Sequence, residues 1–309
     1  MFNDSSRHFK VDVIMLTYNH EKWVNSAIES VIEQTYTNWH LFIGDDCSTD
    51  NTIKIIESFV LKYPDKITFV KQKSNIGVTK NLNSILKLCK GDYIANLGGD
   101  DILMNNKIDK QIKFFIKNPN VTLLGHSCEI IDNNDNLKGL YPLSHHRKGI
   151  GNKNWIKYGM RHAAISIMWK NQCNDIYFNE NLSFAADLYF FIQFLGDNGV
   201  YGYLDDVLIK YRKSENSVSE KYKTQCRNDM FFMYTILLPL NNYSKFGKEY
   251  LTGKYLDYLE FQNESSFFQN CSKLIKLLFN HPFELIFYYR FYILLKEKIA
   301  TFFKNNMCI

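Results

Sequence analysis

The stretch Tyr93-Ile94-Ala95-Asn96-Leu97-Gly98-Gly99-Asp100-Asp101 decides the fold, because it reads as a buried strand that ends in a tight acidic turn. Two adjacent carboxylates where a strand meets a loop can hold a divalent cation, and a cation can hold a diphosphate. A second acidic turn, Asp45-Asp46-Cys47-Ser48-Thr49-Asp50, follows the apolar run Trp39 to Ile43 in the same way. Two such turns on one sheet edge point to one nucleotide site.

Outward from these turns, Val11 to about Ile131 alternates short β-branched or aromatic runs with longer helical patterns, the mark of a parallel sheet covered by helices. Strands are expected at Val11 to Leu16, Trp39 to Ile43, Ile67 to Val70, Tyr93 to Leu97 and Val121 to Gly125. Helices are expected over Glu21 to Gln34, from a Ser48 or Thr49 cap to about Tyr63, over Val78 to Cys89 and over Lys107 to Lys117. In the last two, Val78, Leu82, Ile85 and Cys89, and Ile108, Ile112, Phe115 and Ile116, are the expected inward faces. Ligands of such open sheets sit beyond the carboxyl ends of the strands, where Thr17-Tyr18-Asn19, Asp45-Asp46 and Asp100-Asp101 emerge. The polar, basic segment Asn133 to Arg161, with His145-His146, is expected to be a long loop over the site. After it come a strand near Ala164 to Trp169, a helix near Ala185 to Leu195 and a strand over Tyr203 to Tyr211. From about Ser219 the pattern is all-helical.

The totals narrow the class. A chain of 309 residues can bury a full core. Its 37 Lys plus Arg against 32 Asp plus Glu, a net +5, is too mild a balance to argue for nucleic acid. Seven cysteines without a C-x-x-C pair or zinc spacing give neither a disulfide framework nor a structural metal site, so a reducing cytoplasm is expected. The polar start Met1 to Lys10 and the lack of a run of about 18 apolar residues predict neither export nor a bilayer span.

Together these segments resemble the nucleotide-sugar glycosyltransferases of family 2, over roughly Val11 to Ser219. The likeness is carried by Val11-Asp12-Val13-Ile14-Met15-Leu16-Thr17-Tyr18-Asn19, Asp45 to Thr52, Asn75-Ile76-Gly77 with Lys80-Asn81, Gly91-Asp92-Tyr93-Ile94 before the acidic turn, and Tyr211 to Ser219. It implies an α/β GT-A fold, a Rossmann-like, mostly parallel sheet covered by helices over residues 1–218, followed by a C-terminal helical extension over 219–309. It further implies an inverting transferase that takes a nucleoside-diphosphate sugar, UDP-linked by the family's commonest choice. The acceptor implied is a glycan or lipid-linked molecule in surface polysaccharide biosynthesis, at the inner face of the cell membrane.

Carried over residue by residue, the resemblance puts base and ribose recognition on Asp45 with Thr17 and Tyr18, and further donor contacts on Asn19, Asp46, Asn75, Lys80 and Asp101. Asp100 matches the last Asp of the family's Asp-x-Asp, which holds Mn2+ or Mg2+, while Gly98 stands where the first Asp is usual. Asp187 matches the base that takes the acceptor proton, with Ala186 replacing the Glu that normally precedes it. Arg212 is the candidate for steadying the leaving diphosphate. Plainer roles stay open beside these: a capping turn at Asp45 to Thr52, a ligand-free surface turn at Gly98 to Asp101, a solvated Lys80 and a helix cap at Asp187. His126, His145, His146 and His162 lack metal-ligand spacing.

The tail Leu274 to Phe303 mixes aromatic and aliphatic residues with Lys276, Arg290, Lys296, Lys298 and the adjoining Lys304, which suits either an anionic membrane surface or packing against the catalytic domain or a second subunit. Two rivals remain from other classes. A degenerate nucleotide-sugar-binding scaffold is motivated by Gly98 and Ala186. A nucleotidyltransferase would need a Gly-rich basic loop, and Leu16 to Lys22 holds no Gly.

Overall fold

The computed structural model describes residues 8–141, 148–160, 162–172 and 176–213, together with Asp229, Met230, Met233 and Leu237. The chain divides into two compact units, Met1–Cys226 and Arg227–Ile309. The expectations for His145 and His146, for Ser214 to Ser219 and for the helical tail lie outside the described residues.

The first unit runs β1 (Val11–Thr17), α1 (Val24–Ile32), β2 (Trp39–Asp45), α2 (Thr52–Lys62), β3 (Ile67–Lys71), α3 (Val78–Leu86), β4 (Tyr93–Gly98), β5 (Ile102–Leu103) and α4 (Lys107–Lys117). It continues through β6 (Val121–Ile131), β7 (Leu137–Leu140), β8 (Gly149–Ile150), α5 (Lys153–Tyr158), β9 (Met168–Lys170), α6 (Ala186–Leu195) and β10 (Val200–Arg212). Among the described residues these strands form one sheet in the order β3-β2-β1-β4-β9-β6-β10-β5, with β7 beside β6 and β8 beside β10. Strands β3, β2, β1 and β4 are mutually parallel, whereas β9 runs antiparallel to both β4 and β6.

The central strands are apolar along their whole length because both faces are covered. In β1, Val11, Val13 and Met15 pack with Val24, Ala27, Ile28 and Val31 of α1 in one core, and Ile14, on the other face of the strand, is buried as well. Asp12, buried in β1, is tolerated because its Oδ2 accepts the Lys90 and Gly91 N–H groups, each at 2.6 Å. Helix α6 is apolar around most of its circumference, with Leu188, Phe190, Phe191, Ile192 and Leu195 buried.

Several expectations need correction. Asn133 to Arg161 is not one long loop. Strand β6 continues past Gly125 to Ile131, and β7 folds back on it in an antiparallel hairpin. The Asn-rich tip is the hairpin turn, in which Asp132 Oδ1 accepts the N–H groups of Asn134 and Asn136. Ala164 to Trp169 opens as a 3-10 turn, Ala164–Ser166, before β9. Neither Ser48 nor Thr49 caps α2. Ser48 is turned onto Asp45, and the Thr52 N–H goes to Asp50 Oδ1 instead. Val78 and Ile116 face solvent, at 58% and 50% exposure, rather than the core.

Candidate active site

Register assembles the site. Along the parallel strands Thr17 lies beside Asp45 and Leu16 beside Gly98, so the carboxyl ends of β1, β2 and β4 finish together. The strand order changes direction between β1 and β4, which is where an open α/β sheet leaves a crevice.

The first acidic turn is tied inward. Asp45 is fully buried; its Oδ2 accepts from Thr17 Oγ1 at 2.8 Å and from Ser48 Oγ at 2.5 Å, and its Oδ1 accepts from Ser48 N at 2.8 Å. Asp46 accepts from Ile76 N at 2.7 Å and from Gly77 N at 2.9 Å, which pins the N-terminus of α3 to the turn. Asn19, with φ of 55°, donates its N–H to Ser48 Oγ and accepts from Thr49 N through Oδ1. Thr17, Asn19, Asp45 and Asp46 are therefore one bonded frame. Tyr18 stands exposed at its rim, and Asn75 and Lys80 are exposed beyond it.

The second turn is compressed by its glycines. A Cβ on Gly99 would lie 2.8 Å from the Leu16 carbonyl oxygen, a backbone atom that cannot step aside. At Gly98 a Cβ would collide with Asp101 Oδ2 and come within 2.9 Å of Asp100 Oδ1. The carboxylate of Asp101 thus occupies the space that an Asp at position 98 would take. Asp101 is buried, accepts the Arg212 N–H at 2.8 Å, and is pushed well above the usual carboxylate range by burial and by the Asp100 charge. Asp100 is partly exposed, and among the described residues no donor reaches its carboxylate.

Arg212, at the end of β10, is buried and fully engaged. Its Nε donates to the Asp100 carbonyl at 2.8 Å, its other nitrogens donate to the Asp132 carbonyl and Asp135 Oδ1, and its guanidinium lies 5.4 Å from the centre of the Trp23 ring. It clamps the acidic turn to the β6–β7 hairpin. Such a bonded guanidinium sets the shape of the turn, and reaching a diphosphate would require it to give up these bonds.

Asp187 stands in the first turn of α6, with Oδ1 accepting the Leu188 N–H at 2.7 Å. Part of its surface meets solvent, yet it sits deep among protein atoms, and that desolvation pushes its carboxyl up to about 6. Burial pushes the Tyr211 hydroxyl well up, and the charges of Asp101, Tyr141, Asp100 and Asp187 add to the shift. Sequence reasoning missed Asn83. The signal for Asn83 was its spacing, four residues after Thr79 on the expected helix, which sets two polar side chains on one helical face. His126 and His162 are buried.

The arrangement has counterparts. The family model described as "Glycosyl transferase family 2" matches residues 12–174. A glucosyltransferase of Escherichia coli, UDP-Glc:alpha-D-GlcNAc-diphosphoundecaprenol beta-1,3-glucosyltransferase WfgD, is 31% identical over 218 residues, covering 70% of this chain and 82% of that protein. EpsE of Bacillus subtilis is 37% identical over 123 residues, 40% of this chain, and the match spans only 44% of EpsE. Among solved structures, S. aureus TarS 1-349 in complex with UDP-GlcNAc superposes with a TM-score of 0.63 at 21% identity, covering 84% of this chain and 75% of that one. The mannosyltransferase PcManGT from Pyrobaculum calidifontis, in complex with GDP-Man and Mn2+, gives a TM-score of 0.59 at 15% identity, over 96% of this chain and 81% of that one.

Proposed function

The chain belongs to glycosyl transferase family 2 and has the GT-A fold, and from that premise we propose that it is an inverting transferase moving a sugar from a UDP-sugar to a glycan or lipid-linked acceptor. The observation that carries the proposal is the shared carboxyl edge of β1, β2 and β4, where the bonded frame of Thr17, Asp45 and Asp46 and the Asp100–Asp101 turn end side by side at the change of strand order. The name of WfgD, with its UDP-glucose donor and diphosphoundecaprenol acceptor, favours the same donor and a lipid-linked acceptor in surface polysaccharide synthesis.

In this reading the frame of Thr17, Asn19, Asp45 and Asp46 shapes the pocket for base and ribose, with Tyr18 free to lie against the base. Asn75, Lys80 and Asp101 complete the donor side, and Arg212 acts by holding the acidic turn in place. Asp187 serves as general base. With its carboxyl near 6 it is ionised at neutral pH, yet basic enough to take a proton from an acceptor hydroxyl. That hydroxyl attacks the anomeric carbon from the face opposite the diphosphate, whose departure leaves the configuration inverted.

A divalent cation fits Asp100. Among the described residues its carboxylate has no protein donor, and it lies beside a second acid, a repulsion that a cation relieves. Among the described residues no three His, Cys, Asp or Glu side chains gather, so the ion would complete its shell with diphosphate oxygens and water, as Mg2+ or Mn2+ commonly does. When bound, Mn2+ or Mg2+ supplies positive charge to the diphosphate as it leaves. No helix among the described residues is long and apolar enough to cross a membrane. The residue 219–309 extension is the candidate for contact with the inner face of the membrane, as it is for self-association.

Calorimetric titration of UDP with and without Mn2+, on the wild type and Asp100→Ala, tests the donor side. Metal-supported UDP binding that Asp100→Ala abolishes supports the reading. UDP binding indifferent to both the metal and Asp100 removes the metal assignment, and no binding at all removes the UDP-sugar reading.

A further inference from the structure

The approach of the chain to Asp187 is held by a different helix from the one that carries it. The stretch 178–182 leads toward α6 and packs on it: Phe178 stacks on Phe190 with ring centres 4.2 Å apart and planes 7° from parallel. What anchors the stretch is α3. Asn83, only 2% exposed, accepts the Phe178 N–H at 3.0 Å through Oδ1 and donates from Nδ2 to the Phe178 carbonyl at 2.8 Å, and to Glu180 Oε1 at 3.1 Å. One turn earlier, Thr79 Oγ1 donates to the Leu182 carbonyl at 2.8 Å.

A buried amide is costly unless its groups are paired. Here one side chain meets both backbone groups of a residue 95 positions away, as a neighbouring strand would. The other end of the helix is pinned by Asp46 through the Ile76 and Gly77 N–H groups. Helix α3 is a strut with its N-terminus in the first acidic turn and its buried polar face on the approach to α6.

We propose that Asn83 is a positioning residue for Asp187, supported by Thr79, and that α3 holds the donor frame and the base in one rigid relation. The inference rests on the assignment of Asp187 as base. Loss of the Asn83 bonds frees the 178–182 stretch and lets water reach the first turn of α6, while Asp46 still pins the donor frame.

The test follows the Asp187 carboxyl in the full chain by 13C NMR, with the resonance assigned through Asp187→Asn. In the wild type the midpoint is expected at about 6. In Asn83→Ala, and to a smaller degree in the near-isosteric Thr79→Val, the midpoint falls by about 0.5–1 pH unit as desolvation is relieved, and UDP affinity stays within about twofold. A midpoint unmoved in the folded variants overturns the inference; if Asn83→Ala does not fold, Thr79→Val decides. UDP-glucose and UDP-GlcNAc turnover of Asp187→Asn separates the two levels. Turnover equal to wild type removes the base assignment and this inference with it. Lost turnover with an unmoved midpoint removes only the inference.

Discussion

Replacing Asp187 by Asn should abolish transfer and make the protein more stable at neutral pH. The carboxyl is raised from 3.8 to about 6 because burial disfavours its charge, with only the Leu188 N–H and its own backbone amide opposing. A folded carboxyl above its unfolded value binds more protons than the unfolded chain between those two values, so stability falls as pH rises through that window. At about 1.4 kcal/mol per tenfold change in proton affinity, the full cost is about 3 kcal/mol above pH 6. It shrinks to about 0.5 kcal/mol at pH 4, where the folded carboxyl is protonated and the unfolded one is only about half ionised. Partial solvent contact lowers the neutral-pH figure, so a gain of about 1–3 kcal/mol is expected. For a unit of this size that is a rise in Tm of about 2–10 °C. Thermal melts of wild type and Asp187→Asn at pH 7.5 and pH 4 measure it. A variant that melts at or below the wild type at pH 7.5, or whose advantage does not shrink on acidification, refutes the reasoning.

Further expectations concern groups around the site. Gly98→Asp, which restores the family's usual acid, should cost about 1–3 kcal/mol by evicting Asp101 from the Arg212 N–H; adding Asp101→Ser should recover about half of the loss in thermal melts, through the coupling of neighbouring sites. Asp46→Ala should cost about 2–4 kcal/mol, speed hydrogen exchange at the Ile76 and Gly77 amides and weaken UDP binding. Lys107, buried with Gln111 Oε1 2.9 Å from its Nζ, has its amine pulled down to about 7 by desolvation. A depressed amine destabilises most below its folded value and not at all above its unfolded one. Lys107→Met should therefore stabilise by about 1–3 kcal/mol near pH 7, with the gain fading toward pH 10.5, in denaturant titrations across that range.

Strands β1 to β4 were legible because their β-branched, doubly covered runs differ sharply from the amphipathic helices between them, and Lys107 to Lys117 emerged with the expected ends. The β6–β7 hairpin was not. Its second strand is short and mostly exposed, with Leu137 and Leu140 at 62% and 53%, and it exists because β6 offers it an edge rather than because its own pattern demands a strand. Helix α3 was placed correctly but turned the wrong way in part. Its buried face includes Thr79, Asn81 and Asn83, and hydropathy cannot see a face that is buried through hydrogen bonds. The acidic turns were found from composition and spacing, but their division of labour was not. That Asp45, Asp46 and Arg212 spend their polar groups on the protein itself, while no donor among the described residues reaches the Asp100 carboxylate, depends on partners 28 to 112 residues away or on loop geometry that no local window contains.

The central claim, inverting transfer from a UDP-sugar with Asp100 and Asp187 in the roles assigned, is tested most directly by proton NMR of the sugar released or transferred. Wild type, Asp100→Ala and Asp187→Asn would be incubated with Mn2+ and, in turn, UDP-, GDP- and dTDP-sugars. The account predicts UDP formation from an α-linked UDP-sugar with the new anomeric centre in the β configuration at first observation, and loss of turnover in both variants. Retention of the α configuration, preference for a GDP- or dTDP-sugar, or wild-type turnover in Asp187→Asn would contradict it. UDP-sugar binding without turnover under any of these conditions would favour the degenerate binding scaffold.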